Sequence, residues 1–540
     1  MSSYDTLSIV ASLAALLGFA FFAWRRLLRY LHIFQQDEYD AKRFLPWLIT
    51  TFSFDKRVSA ALILFAALTA LIQLESIGST ESFLVAILFA AAGLRETDPR
   101  RTAKKKLVMT ARARRIAGTG YVLTVGAGVV AAALGGSLIW LFAVQSIPLL
   151  LVLANTILKP IEARIQNAFR KAAEERLNTV NPTIIGITGS FGKTSVKHIL
   201  GHILQMNTQA LFTPGSVNTV MGISRIINEQ LRDNCRYFLV EMGAYGIGSI
   251  ARLCKFTPPD HGIITSIGEA HYERFKDLET VARAKFELAE AVGAQNGLMI
   301  VDESVLERTH AKQFAAGKSD SFVIVGDGDN ADIRVLSISQ GPEGLTVRLI
   351  FEGEEFVLFA PLFGIHHGRN MALAFTMAVK LGFAPERIVT ALRTTPQIAH
   401  RLEVKRHPSG ATLIDDAYNA NPDGILNGLQ LLQTLKTAKG RRILVTPGVA
   451  ELGTRHDDVH RRLGEAAAQN TDITLAVRGE RIPTFIQAFK SSKSPDGHAE
   501  ILEFPQFAQA QTWMNENLRT DDVILIANDL PDLLEHNFVS

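Results

Sequence analysis

At 540 residues the chain exceeds the roughly 250–300 residues at which one hydrophobic core stops growing, so about three domains are expected. Its 56 Lys and Arg nearly balance its 53 Asp and Glu, and a net charge of +3 excludes the strong field of a nucleic-acid partner. Two cysteines, Cys235 and Cys254, are too few for a disulfide framework or a zinc site and fit a reducing compartment.

The chain begins with an uninterrupted apolar run, residues 7–24, close to the ~20 residues a helix needs to cross a hydrocarbon core. Arg25, Arg26 and Arg29 follow this run, whereas a secretory signal carries its basic residues in front. Further apolar runs lie at 58–74, 83–94 and 121–158, the last with Gly135 and Gly136 near its middle, as two helices joined by a tight turn require. About five spans are expected, the run 83–94 being short for a crossing on its own. Residues 95–115 are packed with cations, including Lys104, Lys105, Lys106, Arg112, Arg114 and Arg115, while the loop 75–81 has none. The bias of Lys and Arg towards cytoplasmic loops puts the basic stretch inside, and with five spans everything after residue 158 lies inside too. The same cations suit anionic lipid head groups. No charged residue falls within the runs, so no proton relay or ion path is expected there.

From Pro182 the composition changes to β-rich runs alternating with amphipathic stretches, the pattern of a parallel sheet covered by helices. A strand at 183–187 runs into Gly189-Ser190-Phe191-Gly192-Lys193-Thr194-Ser195 and then an apolar helix at 196–204. This is a phosphate-binding loop in its proper context: glycines let backbone amides face the phosphates, Lys193 reaches the outer ones, and the Thr194 hydroxyl is placed to ligate Mg²⁺. Gly186 precedes Gly192 by six positions, one more than the common form. Residues 238–244, Phe-Leu-Val-Glu-Met-Gly-Ala, read as a buried strand delivering Glu241 at its C-terminal end.

The segment Gly186-Ile187-Thr188-Gly189-Ser190-Phe191-Gly192-Lys193-Thr194 resembles the loop of the Mur ligase family, and further matches follow in order. The resemblance implies that Glu241 binds magnesium, that His271 in Gly268-Glu269-Ala270-His271 ligates a second Mg²⁺, and that Lys285 is carbamylated by CO₂, replacing a cation by an anion beside the metals. It further implies that Gly364-Ile365-His366-His367-Gly368-Arg369-Asn370 contacts adenine, with Asn370 carried over; His367 stands where the family has an asparagine.

Arg401-Leu402-Glu403-Val404 and Asp415-Asp416-Ala417-Tyr418-Asn419-Ala420-Asn421-Pro422 carry the most specific likeness, to the branch that adds D-alanyl-D-alanine to a UDP-muramoyl-tripeptide. There Arg401 is expected to face the γ-phosphate and Asp416 the ribose, and residues 447–453 with His460 also follow that branch. Strands at 473–477 and 523–527 complete a second α/β sheet. Two departures bear on the substrate. The last strand ends in Ala527-Asn528-Asp529 where the family has a lysine, and apolar helices precede the phosphate loop where the family has a domain for the UDP-sugar.

The expected architecture is an α-helical membrane domain (1–160), a linker helix (161–180), a central ATP-binding α/β domain (181–397) and a Rossmann-like C-terminal ligase domain (398–540). The resemblance implies an ATP-dependent, ADP-forming carboxylate–amine ligase, and the apolar runs with their charge bias put it in the bacterial cytoplasmic membrane with its catalytic domains cytoplasmic. It would use ATP, two Mg²⁺ ions and the Lys285 carbamate, and join a carboxylate to an amino acid or dipeptide through an acyl phosphate. A membrane-associated poly-γ-glutamate synthetase type is the alternative ligase. An ATP-driven transporter or regulator is the alternative of another class, and has no stated need for His271, Lys285 or Asp416. No Ser-His-Asp or Cys-His arrangement points to a side-chain nucleophile.

Overall fold

The computed structural model describes residues 3–37, 39–72, 77–101, 106–244, 246–268, 277–317, 321–417, 422–450, 452–492 and 499–527. They fall into two compact units, residues 1–167 and residues 168–529.

The first unit is helical: α1 (Ser3–Gln36), α2 (Ala41–Thr50), α3 (Arg57–Ile72), α4 (Ile77–Arg95), α5 (Ala111–Leu134) and α6 (Ser137–Val180), the last running on into the second unit. Gly18, Gly93 and Gly128 let α1 approach α4 and α5 closely; a Cβ on Gly18 would stand 2.8 Å from the Ala86 carbonyl oxygen. Phe19, Phe22, Phe89 and Trp140 form an aromatic centre with ring separations of 5.2–5.7 Å. Leu13, Leu17, Ile63, Leu64, Ile87, Val129 and Phe142 point outward and are exposed, a surface suited to lipid rather than water. Among the described residues three helices are long and apolar enough to cross a membrane, Thr6–Gln36, Ala111–Leu134 and Ser137–Val180, against the five spans expected; Arg57–Leu71 is a shorter apolar helix. The break in the run 121–158 falls where expected, at Gly135 (φ 71°) and Gly136 (φ 88°), a left-handed pair that ends α5. The amphipathic α2, capped by the Asp40 carboxylate and burying Phe44 and Leu48, was not anticipated. Helix α6 is continuous through the stretch expected as a separate linker, despite Pro148 and Pro160.

The second unit holds two sheets. The first has nine strands, β1 (Thr183–Thr188), β2 (Ala210–Phe212), β3 (Tyr237–Glu241), β4 (His261–Ile264), β5 (Met299–Asp302), β6 (Phe322–Gly326), β7 (Ile333–Gly341), β8 (Gly344–Phe351) and β9 (Glu354–Ala360). Their order is β2-β3-β1-β4-β5-β6-β7-β8-β9, parallel through β7 and closed by an antiparallel meander. Ile185, Ile187, Leu239 and Ile263 are fully buried, as the near-continuous apolar strands of a sheet covered on both faces require. The chain leaves β1 towards β2 and β3 on one side and has β4 on the other, so a crevice opens at the C-terminal ends of β1 and β4.

The second sheet, β10 (Glu403–Arg406), β11 (Thr412–Asp416), β12 (Arg442–Thr446), β13 (Ile473–Val477), β14 (Glu500–Phe504) and β15 (Val523–Ala527), has the order β10-β11-β15-β12-β13-β14, with only β10 antiparallel. The strands expected at 473–477 and 523–527 are β13 and β15, the latter lying between β11 and β12.

Candidate active site

The crevice after β1 is occupied by the loop 189–192 and the start of helix α7 (Lys193–Asn207), which begins three residues earlier than its apolar pattern suggested. Gly192 (φ 82°) adopts a left-handed conformation, and a Cβ there would stand 2.5 Å from Asn370 Oδ1. The loop is sewn to the segment after β4: the Phe191 amide donates to Ser266 Oγ (2.9 Å), the Gly268 amide to Ser190 Oγ (2.8 Å), and Ser190 Oγ to the Gly268 carbonyl (2.9 Å). Lys193 folds back on this loop, its Nζ donating to the carbonyls of Gly189 (2.7 Å) and Ser190 (3.1 Å). Burial pulls its pKa down to about 8, with Glu241 opposing and Arg401 and Lys197 adding to the fall. A cation that loses hydration and meets two further cations is poised for an anionic ligand.

Glu241, at the C-terminal end of β3, accepts a hydrogen bond from Thr194 Oγ1 (2.8 Å) and an ion pair from Lys197 Nζ (3.0 Å), both on Oε2; Asn218 Nδ2 approaches Oε1 at 3.5 Å. Glu241 is 1% and Lys197 0% exposed, so the pair is shut off from solvent. Burial alone would raise the Glu241 pKa; Lys197 and Lys193 outweigh it and hold the carboxyl below its usual range. A Thr hydroxyl beside an ionised carboxylate at the end of a phosphate loop is a hard-oxygen donor set, and it fits Mg²⁺. Lys197 was not singled out from sequence, although it lies one turn after Lys193 on the same helix face.

Lys285, in helix α8 (Leu278–Ala294), is buried, and burial followed by the Lys193 charge pushes its pKa well below the usual lysine range. That favours the neutral amine, the form that reacts with CO₂. His271 lies outside the described residues, as do Tyr418 to Asn421, Glu451, Asn528 and Asp529.

A cavity of about 250 Å³ is lined by Gly192 and Ser195 of the loop and α7, by Asn370 of helix α9 (His366–Lys380), and by Arg401 and Asp416 of the second-sheet region. Of the expected nucleotide contacts, Gly192, Ser195, Asn370, Arg401 and Asp416 line it, while Gly189, Ser190, Lys193 and Thr194 do not. Asp302 and Arg369, not assigned from sequence, also line it, with Arg369 Nε 3.7 Å from Asp302 Oδ2 and Nη2 2.8 Å from Asp327 Oδ1. Asp416 ends β11 and accepts from the Leu402 amide (3.2 Å); burial raises its pKa to about 7 against that bond and the Arg401 charge. Arg401 sits at a tight corner between two left-handed residues, His400 (φ 58°) and Leu402 (φ 49°). His367 is buried, and its Nδ1 lies 3.3 Å from Asn370 Nδ2. Away from the cavity, His460 Nδ1 donates to the His456 carbonyl (2.7 Å), so its Nε2 accepts from the Val449 amide (3.0 Å) and fixes the loop after β12.

Comparison with known proteins accords with this geometry. Residues 187–378 match the Mur ligase middle domain and residues 400–528 the Mur ligase glutamate ligase domain. A UDP-N-acetylmuramoyl-tripeptide–D-alanyl-D-alanine ligase of Mycobacterium leprae is 30% identical over 382 residues, 66% of this chain and 72% of that protein. The chain belongs to the Mur ligase family. The Bacillus subtilis enzyme of the same name is 28% identical over 298 residues, and this Mur ligase spans 63% of its length. Among solved structures, a MurF from Acinetobacter baumannii superposes with a TM-score of 0.58 at 24% identity, covering 69% of this chain and 78% of that one. The Thermotoga maritima MurF in complex with ADP gives 0.56 at 22%, with 69% and 82% covered. These likenesses show the fold. Residues 1–186 lie outside both family matches.

Proposed function

We propose that this Mur ligase is an ATP-dependent, ADP-forming carboxylate–amine ligase that adds D-alanyl-D-alanine, or a similar amine, to a peptidoglycan precursor at the bacterial cytoplasmic membrane. The observation that carries the reading is the gathering of the phosphate loop, Asn370, Arg401 and Asp416 around one cavity, beside the Thr194–Glu241 pair. The relatives named above supply the amine and the class of carboxylate.

In this reading Gly189, Ser190 and Gly192 cradle the ATP phosphates, Lys193 leaves its loop carbonyls for the outer phosphates, Ser195 adds a hydroxyl at the helix N-terminus, and Asp416 takes the ribose. A substrate carboxylate oxygen attacks the γ-phosphorus and ADP departs, leaving an acyl phosphate. The amine then attacks the acyl carbon, phosphate leaves with the bonding electron pair, and the amine gives up a proton. The transferred group spreads charge over its oxygens, so Lys193 and Arg401 act by position and electrostatics. Thr194 and Glu241 would hold one Mg²⁺, and a carbamate on Lys285 with His271 a second; these ions would supply neutralisation of the phosphate charge.

The membrane reading rests on the three long apolar helices, the shorter α3 and α4, and the outward-facing apolar side chains. We read all five as spanning, with the basic stretch 95–115 and everything after α6 on the cytoplasmic side, where ATP is.

The test is ADP release by the full chain in detergent with Mg²⁺ and bicarbonate, supplied with UDP-muramoyl-tripeptide or a lipid-linked equivalent, and with D-alanyl-D-alanine or glutamate. Turnover that needs a muramoyl-tripeptide and D-alanyl-D-alanine is expected. Glutamate-dependent turnover would move the chain to the poly-γ-glutamate type, and hydrolysis indifferent to every carboxylate and amine would end the ligase reading.

A further inference from the structure

The helical unit contains a second charged cavity that the ligase chemistry does not use. It measures about 230 Å³ and is bounded by Arg26 and Arg29 of α1, Asp55 and Arg57 at the start of α3, and Arg95 and Glu96 at the end of α4. Arg26 is 2% exposed, and its guanidinium pairs with Asp55 and lies 3.2 Å from Glu96 Oε1; Arg29 Nη1 meets Glu96 Oε2 at 2.6 Å. Asp55 is also committed to capping α3, accepting from the amides of Val58 (2.8 Å) and Ser59 (3.1 Å).

These pairings account for two of the four arginines. Arg57 and Arg95 are exposed and form no ion pair among the described residues, and Arg26 Nε, although buried, has no hydrogen-bond partner there. Four guanidinium groups against two carboxylates leave an excess of two positive charges around the cavity. The rest of its lining is apolar, Val58, Leu88, Ala91 and Ala92. Arginine forks match phosphate oxygens bidentately and are less strongly hydrated than an ammonium, so they suit a phosphate at a half-dry surface. The cavity lies where the apolar run of α1 ends, that of α3 begins and that of α4 ends, the level at which a lipid carries its phosphate. A pure helix-stitching role explains Arg26 and Arg29 but gives Arg57 and Arg95 nothing to do.

We infer that this cavity binds the phosphate of a membrane lipid, the phosphate seated on Arg26, Arg29, Arg57 and Arg95 and the chain lying along Val58 and Leu88. The inference rests on the reading that α1, α3 and α4 lie in a bilayer. It is tested with the full chain in phosphatidylcholine nanodiscs, measuring binding of labelled phosphatidic acid and, separately, of inorganic phosphate. R57Q/R95Q leaves the buried pairs intact and is expected to weaken phosphatidic acid binding about fivefold per guanidinium, roughly 25-fold in all, with no change in the far-ultraviolet spectrum. R57K/R95K should recover part of the loss, and R114Q, which removes an exposed arginine outside the cavity, should change it little. Equal losses in R114Q, or none in R57Q/R95Q, would overturn the site. Inorganic phosphate binding as tightly, with the same arginine dependence, would overturn the lipid as its source. Alkaline extraction of membranes tests the spans independently: a chain that washes off removes the bilayer and the lipid with it, whereas a retained chain whose binding ignores these arginines removes the site alone.

Discussion

Lys197 is the residue whose replacement should report most directly on the site's electrostatics. Its ammonium and the Glu241 carboxylate are both buried and 3.0 Å apart, and Glu241 otherwise has Thr194 and a long contact from Asn218. Lys197→Met keeps the volume and removes the paired charge, leaving the buried carboxylate with Thr194 and the more distant Lys193, and breaking such a buried pair typically costs about 3–5 kcal/mol. The cost should depend on pH. In the wild type the Glu241 pKa is held below its ordinary value, so its contribution is present at neutral pH and lost as pH falls through the folded-state pKa. In the variant burial dominates and the pKa rises above the unfolded value, so Glu241 destabilises the fold increasingly as pH climbs above that value. Urea unfolding of the full chain in detergent should therefore show the largest gap between the two proteins near neutral pH, closing towards pH 4. Lys197→Met/Glu241→Gln should recover most of the loss. A deficit that is constant with pH and additive in the double variant would refute the reasoning.

Four further outcomes are expected. Lys193→Met should lower ADP release about 10²- to 10³-fold, the usual consequence of removing one donor aimed at developing charge, without shifting the melting temperature by more than a few degrees. If the proposed carbamate forms on Lys285, whose buried amine has its pKa pushed well down, CO₂-free buffer should reduce activity and bicarbonate restore it, and Lys285→Arg should be inactive and indifferent to bicarbonate. Gly192→Ala places a Cβ 2.5 Å from Asn370 Oδ1 at φ 82° and should destabilise by about 1–2 kcal/mol while weakening nucleotide affinity in an ADP titration. His460 is held neutral, its pKa lowered to about 4 mainly by burial, so stability should fall as pH drops from about 6.5 towards 4. In a thermal-melt series that acid slope should flatten in His460→Gln.

What could be read in advance follows from what each residue needs. The phosphate loop was legible because its backbone demands glycine at Gly189 and Gly192 and its ligand demands Lys193 and Thr194 in the next turn, requirements that leave a mark within seven residues. Arg401 and Asp416 were legible only through family likeness, since nothing local says that a corner after residue 398 and the end of β11 share a cavity with Asn370. Lys197 escaped because a lysine one turn into a helix has the pattern of a solvated face; only the packing of β3 beside α7 reveals that it is dry. The cluster of Arg26, Asp55 and Glu96 escaped for the same reason at longer range: each stands at the end of a different apolar run, where a charge ordinarily marks the water boundary.

A strand ending in Asp415-Asp416 suggests two ionised carboxylates, and the structure separates them by environment. Asp415 is held by Lys405 Nζ (2.7 Å) and His400 Nδ1 (2.9 Å), which outweigh its burial and keep its pKa low, whereas burial lifts Asp416 to about 7. The apo protein therefore holds Asp416 partly protonated near neutral pH, and a ribose hydroxyl that donates to it draws out the ionised form. Nucleotide binding through Asp416 should then release protons, measurable as a buffer-dependent heat below about pH 7, and Asp416→Asn should abolish that dependence while keeping a hydrogen-bond acceptor in place.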